Sequence, residues 1–196
     1  MLVILDYGMG NLRSVEKAVE FLGFECQIQP HLKGATKLII PGVGAFGAAM
    51  ERVLPLADEI RAFANDGNPL MGICLGQQLL FETSEEYGEQ IGLGLIAGRV
   101  KYFPKDTGLK IPQIGWNEAV FAPNSKLGKG SLPEDQVYFV HSLYTDCSDP
   151  SDIAAKTSYG VTFASAVEKG NIWGTQFHPE KSGEVGLRIL RNFLEC

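Results

Sequence analysis

Cys74 is the side chain in this sequence best placed to act as a nucleophile. It stands in Gly72-Ile73-Cys74-Leu75-Gly76, after the apolar run Leu70–Ile73 and before a stretch read as a helix over Gln77–Glu82. A strand entering G-x-C-x-G and a helix leaving it form a nucleophile elbow with sulfur in place of oxygen. The turn is so tight that side chains two residues either side of the nucleophile would clash, and glycine relieves the crowding. The thiol then meets a helix N-terminus, where the dipole favours a thiolate and backbone N–H groups face a reacting carbonyl. The plain alternative is a buried core cysteine, and the strand-before, helix-after setting weighs against it. Cys26, Cys147 and Cys196 lack such a setting and receive no role.

A nucleophilic thiol needs a base, and the chain has three histidines. His31 follows Pro30 with no evident partner. His141 ends an apolar run and reads as a satisfied strand-end histidine. His178 lies in Gln176-Phe177-His178-Pro179-Glu180, just past the last strand candidate. Pro179 pushes its predecessor toward an extended conformation, and alternate side chains of an extended segment share a face. Glu180 can then reach the imidazole nitrogen turned away from the thiol, giving nucleophile, base and orienter. The competing reading makes Glu180 a solvated charge at the start of the final helix.

Gly42-Val43-Gly44-Ala45-Phe46-Gly47 matches G-x-G-x-x-G after a strand and before a helix. A dinucleotide site would also need an acidic residue at the end of a following strand, about 20 residues on. Asp58 and Glu59 instead fall within a helical stretch, and Pro41 makes an unusual strand exit. The loop reads better as a source of a backbone N–H (at Val43, flanked by Gly42 and Gly44) for a tetrahedral intermediate, beside the N–H of Leu75. One such donor is typically worth ~3–4 kcal/mol.

The elements that must hold these groups follow from periodicity. Strands are expected at Leu2–Leu5, Phe24–Ile28, Leu38–Ile40 and Leu70–Ile73. They alternate with helices from Asn11 to Leu22 and from about Ala48 to Asn65, the second bent or restarted near Pro55. That alternation predicts an α/β fold with a mostly parallel central sheet covered by helices on both faces. The second half is β-rich, with runs at Arg99–Phe103, Glu118–Phe121, Val137–Val140, Ala154–Ser158, Phe163–Val167 and Ile172–Gln176. A hairpin turn is expected at Glu168–Asn171, and a final helix from about Gly183 to Leu194.

The 196 residues suit one domain spanning 1–196. A net charge of −6 argues against nucleic acid or an anionic membrane as main partner. No apolar run approaches the ~20 residues of a membrane span. Four scattered cysteines suit neither a zinc cage nor a disulfide scaffold, and no secretion signal is evident, so a cytoplasmic location is expected.

Taken together, G-x-C-x-G and His178-Pro179-Glu180 resemble the class I, triad-type glutamine amidotransferases, over nearly the whole chain. Asp6–Asn11, Pro41–Phe46, Ile114–Asn117 and Tyr138–Ser142 look like the branch formed by glutaminase subunits of imidazole glycerol phosphate synthase. The resemblance implies the flavodoxin-like fold of that family and a reaction needing neither metal nor organic cofactor. It implies that Gln78, Gly44 and the backbone of Ser142, Leu143 and Tyr144 hold glutamine, and that the Pro41–Gly44 loop changes conformation. His141 becomes a structural or pocket-lining residue. The implied partner is a (β/α)8 cyclase subunit that uses the ammonia to make imidazole glycerol phosphate and an aminoimidazole carboxamide ribotide. Asn11, Trp116, Tyr138 and Lys181 are interface candidates. The alternatives left open are a glutaminase serving anthranilate, aminodeoxychorismate or pyridoxal phosphate synthesis, a non-catalytic binding module, and another cysteine hydrolase of similar architecture.

Overall fold

The structure is a computed structural model that describes residues 1–105 and 108–196. The first half runs β1 (Leu2–Leu5), α1 (Leu12–Phe21), β2 (Cys26–Gln29), β3 (Lys37–Gly42), α2 (Phe46–Val53), α3 (Ala57–Asn65), β4 (Leu70–Cys74) and α4 (Leu75–Leu79). The second half runs β5 (Phe81–Ser84), β6 (Gln90–Ile91), β7 (Ile96–Tyr102), β8 (Gln113–Glu118), β9 (Val120–Phe121), β10 (Gln136–His141) and β11 (Leu143–Cys147). It ends with β12 (Ile153–Tyr159), β13 (Val161–Lys169), β14 (Ile172–Thr175) and α5 (Gly183–Leu194).

The main sheet has the strand order β2-β1-β3-β4-β14-β13-β12-β9. The first five strands are mutually parallel and the last three add antiparallel. This is the mostly parallel sheet with antiparallel additions that the alternation of elements predicts. Continuous apolar runs such as Leu2–Leu5 arise because both faces are covered. Val3, Leu5, Leu38 and Ile40 pack with α2 and α3 on one side. Leu2, Ile4 and Ile39 pack with α1 and α5 on the other. The helical stretch after β3 is restarted by a 3₁₀ turn at Leu54–Leu56 that holds Pro55 at its start, and Glu168–Asn171 joins β13 to β14 as a hairpin.

Two local expectations fail. The helix after Cys74 stops at Leu79, and Phe81–Ser84 is a strand pairing parallel with β7. Phe81 and Ser84 are buried in that small sheet, β11-β7-β5-β6, so its packing overrides the helical reading. The expected strand at Glu118–Phe121 divides at the buried Ala119. Glu118 closes β8 against β10, whereas Val120 opens β9 against β12.

Three neighbouring parallel strands, β3, β4 and β14, finish at one edge of the main sheet, with Gly42 paired to Cys74 and Thr175 to Ile73. The Pro41–Gly44 loop, Cys74 and the Gln176–Glu180 segment therefore emerge side by side. Ligands of open α/β sheets bind at such carboxyl ends.

Candidate active site

Cys74 has φ 57° and ψ −111°, a left-handed conformation unusual for a residue with a side chain. Such strain at an elbow is held by its surroundings, and the two flanking glycines show how. A Cβ on Gly72 would sit 2.4 Å from the carbonyl oxygen of Gly76, and one on Gly76 only 1.8 Å from the carbonyl oxygen of Ile40. The crowding thus comes partly from the elbow itself and partly from β3 passing behind it.

His178 is extended, with φ −96° and ψ 99°, as its position before proline predicts. Its N–H donates to Tyr138 O at 3.0 Å, and its carbonyl accepts from Ser182 Oγ at 2.6 Å. Pro179–Lys181 then forms a single 3₁₀ turn, and this turn rather than extended alternation delivers the carboxylate. Glu180 Oε1 lies 2.8 Å from His178 Nδ1, with the two side chains 1% and 3% exposed. Glu180 is thus no solvated helix cap.

The other ring nitrogen, Nε2, is buried without an aligned hydrogen-bond partner. Cys74 nevertheless interacts with this imidazole. Burial by itself would lower the His178 pKa, and the interactions with Cys74 and then Glu180 outweigh it, pushing the pKa up to about 10. Cys74 on one side and Glu180 on the other thus favour the cationic form of the ring. The thiol also lies 3.9 Å from Val140 O, which accepts its proton as a weak hydrogen bond, and 3.7 Å from Gln176 Nε2.

A cavity of about 250 Å³ opens in front of Cys74. Val43, Gly44, Leu75, Gln78, Ser142 and Leu143 of the sequence-predicted set line it, joined by Glu86, Pro112, Val140 and His141. It falls below the roughly 300–1,000 Å³ of drug-sized sites and suits a free amino acid. Tyr144 stays outside, its ring packed on Phe103 and Phe163. Gly42 is buried behind the loop, and a Cβ there would lie 2.5 Å from the Tyr7 hydroxyl. Gln78 turns its amide inward, toward Gln176 Oε1 at 3.0 Å and Leu143 O at 3.4 Å.

His141 is buried and its imidazolium is lowered to about 4, mainly by desolvation. As a neutral ring it donates from Nδ1 to Leu143 O at 2.6 Å. Nε2 must then accept from the Gln113 side-chain amide, 2.9 Å away, whose oxygen and nitrogen exchange places by a half-turn. The ring shapes the pocket and cannot serve as a second base while both nitrogens are engaged.

Three site residues escape the sequence reading. Among the described residues, Glu86 brings the one carboxylate to the cavity lining, and its Oε2 accepts from the Phe46 N–H at the start of α2. It sits in a polar loop with no motif to mark it. Tyr7 is buried, its hydroxyl donating to Pro41 O at 2.8 Å, and its pKa is raised by burial and then by the nearby Cys74 charge. Gln176 was within reach, because it stands two residues before His178 just as Glu180 stands two after.

The interface candidates lie apart from the cavity. Trp116 and Tyr138 face each other across the β8–β10 ribbon with ring centroids 6.0 Å apart. Trp116 is 56% exposed and so no core aromatic, and Tyr138 is half-buried. Asn11 and Lys181 are exposed. Among the described residues no group of acidic, histidine or cysteine side chains is arranged to hold a metal ion, and no helix is long and apolar enough to cross a membrane.

The chain is 47% identical over 202 residues to the imidazole glycerol phosphate synthase subunit HisH of Chlorobium luteolum, covering all of both chains. It is 49% identical to the HisH subunit of Methanosarcina mazei, covering 99% of this chain and 98% of that one. A solved glutamine amidotransferase shares the fold with TM-score 0.77 at 22% identity, covering 99% and 97%. The PurLQS structure from Thermotoga maritima does so with TM-score 0.75 at 21% identity, covering 99% and 96%. The family description "Glutamine amidotransferase class-I" matches residues 3–196, and the chain belongs to that family.

Proposed function

We propose that this chain is the glutamine-hydrolysing subunit of an imidazole glycerol phosphate synthase, acting as one glutaminase domain in the cytoplasm. The observation that carries the reading is the meeting of Cys74 with the buried His178–Glu180 pair at the mouth of an amino-acid-sized cavity. The four free cysteines fit a reducing compartment.

In this mechanism the Cys74 thiolate attacks the side-chain amide carbon of glutamine. The oxyanion is held by the N–H groups of Leu75 and Val43. The His178 imidazolium gives its proton to the departing nitrogen and ammonia leaves, with a γ-glutamyl thioester on Cys74. Neutral His178 then takes a proton from water, the hydroxide opens the thioester, and glutamate departs as the thiolate returns. Glu180 holds the ring and its positive charge. Glu86 is placed to take the substrate ammonium, and Gly44, Ser142 and Leu143 surround the amino-acid end. No cofactor enters any step.

Backbone alternation along β3 bears on the oxyanion donor. Leu38 N–H donates to Pro69 O, so the backbone groups of even-numbered residues face β4, and Pro41 turns its carbonyl the other way to Tyr7. An extended continuation points the Val43 N–H away from Cys74. The peptide between Gly42 and Val43 must then turn over before catalysis, and Gly42 and Gly44 give it the freedom to do so.

Docking of a (β/α)8 cyclase is the event that would drive the turn and receive the ammonia. The exposed face of the β8–β10 ribbon carries Ile114 and Trp116 beside Tyr138, whose carbonyl holds the His178 N–H. Asn11 and Lys181 extend the surface around it. The test is glutamate formation with and without the barrel cyclase and its nucleotide substrate. A rise of 100-fold or more is expected; equal rates would remove the gating while leaving the catalytic groups in place.

A further inference from the structure

Gln176 is fully buried, and its side-chain nitrogen stands 3.7 Å from the Cys74 sulfur. Which end of an amide faces a neighbour depends on its hydrogen bonds, and here the bonds decide it. The Leu143 carbonyl can only accept, so Gln78, 3.4 Å away, presents its nitrogen there. That nitrogen also donates to Gln176 at 3.0 Å, so the group of Gln176 facing Gln78 is its oxygen. The nitrogen of Gln176 is left pointing at Cys74. The chain of donors runs from Gln78 to Gln176 to the sulfur.

Sequence position explains why the contact is built in. β14 pairs with β4 through Thr175 and Ile73, so the next residue along each strand, Gln176 and Cys74, come side by side. Gln176 N–H in turn donates to Ser165 O at 2.8 Å, which pins its backbone to β13.

We propose that the Gln176 amide is a second hydrogen-bond donor to the Cys74 sulfur, held in that orientation by Gln78. This rests on the reading of Cys74 as the nucleophile. Two states of the sulfur use different neighbours. As a thiol it donates to Val140 O, 3.9 Å away. As a thiolate it can only accept, the Val140 carbonyl becomes repulsive, and the Gln176 N–H and the His178 imidazolium supply the favourable contacts. Gln176 touches the reacting atom and is a catalytic residue, whereas Gln78 acts through it as a positioning residue.

Several other titratable groups surround Cys74: His178 and Glu180 beyond β14, Tyr7 beyond β1, and neutral His141 and Glu86 around the cavity. The test leaves all of these in place. The full-length protein is alkylated with iodoacetamide across pH, with modification of Cys74 followed by peptide mass, for the unaltered chain, Gln176→Met, Gln176→Glu and Gln78→Met.

Loss of the donor should move the Cys74 reactivity midpoint up by about one pH unit in Gln176→Met, a tenfold loss of thiolate. The shift should be larger in Gln176→Glu, where a carboxylate faces the sulfur, and smaller but in the same direction in Gln78→Met, which frees the amide to rotate. Glutaminase kcat in the cyclase complex should fall about tenfold in Gln176→Met with KM for glutamine within about twofold. Superimposable profiles with a lowered kcat would assign Gln176 a purely structural role and overturn the proposal. Should either position-176 variant fail to fold, the Gln78→Met profile decides alone by the same criterion. Failure of the unaltered complex to turn over glutamine would instead strike the proposed function.

Discussion

At the scale of single residues, the Cys74 sulfur and the buried Glu180 carboxylate on either side of one ring favour the charged form of His178. Removing one of them is informative. In Glu180→Gln the imidazolium pKa should move down from about 10 toward the ordinary 6.5, read by NMR of the ring protons. Glutaminase kcat should drop roughly 10- to 1,000-fold, as expected when a base loses its orienter. An unmoved ring titration would mean that Glu180 does not stabilise the charged ring.

His141 shows the opposite perturbation and an opposite sign. Its folded pKa, about 4, is below the unfolded value of 6.5. As pH falls from 6.5 to 4 the unfolded chain binds a proton that the folded chain refuses, so stability falls by up to about 3 kcal/mol. Above pH 6.5 this residue contributes no pH dependence. Urea unfolding across that window should show a shallower acid loss for His141→Gln than for the unaltered chain. Identical slopes would contradict the neutral, double-bonded ring. The two histidines were not equally legible: Pro179 and Glu180 mark His178 in the sequence, whereas His141 gains its setting from Leu143 and Gln113, 28 residues away.

At the scale of elements, the β4–α4 elbow is the most constrained junction. Alanine at Gly76 would force its Cβ against the Ile40 carbonyl, and alanine at Gly72 against the Gly76 carbonyl. Backbone atoms cannot swing aside, so each substitution should cost about 4 kcal/mol or more, or abolish folding. Alanine at Gly47, whose nearest neighbour is the flexible end of Gln90 at 3.3 Å, should be tolerated far better. Thermal unfolding of the three variants tests the ranking; equal melting of all three would refute the steric account.

This junction was readable because its requirement is local, a glycine either side of a cysteine between a strand and a helix. The length of α4 was not. Leu79, Leu80 and Phe81 are all fully buried, so apolar character alone cannot say where the helix yields to β5. The division of Glu118–Phe121 between two sheets was hidden for the same reason, since its cause is which distant strand each half meets. The parallel sheet itself was legible because each unit repeats the same strand-then-helix pattern. Glu86 was illegible because its value comes from reaching a cavity and the start of α2, 40 residues earlier.

At the scale of the molecule, the carboxyl ends of β3, β4 and β14 bring three distant stretches of sequence to one edge. His178 is also hydrogen-bonded through its backbone to β10, whose ribbon partner exposes Trp116. The proposed docking surface and the proposed catalytic base are thus joined through one short strand. Trp116→Ala should leave melting within about 2 °C, because the ring is exposed, yet weaken association with the cyclase about 10- to 100-fold, the scale of an aromatic hot spot. Unchanged affinity by titration calorimetry would place the interface elsewhere.

The reaction chemistry itself depends on a covalent bond between one sulfur and a glutamine-derived acyl group. The cyclase complex should be incubated with a glutamine-like electrophile, digested, and its peptides mapped by mass. One adduct is expected, on Cys74, suppressed by excess glutamine and strongly slowed in His178→Ala. Modification confined to Cys26, Cys147 or Cys196, or a Cys74 adduct indifferent to glutamine, would contradict the account.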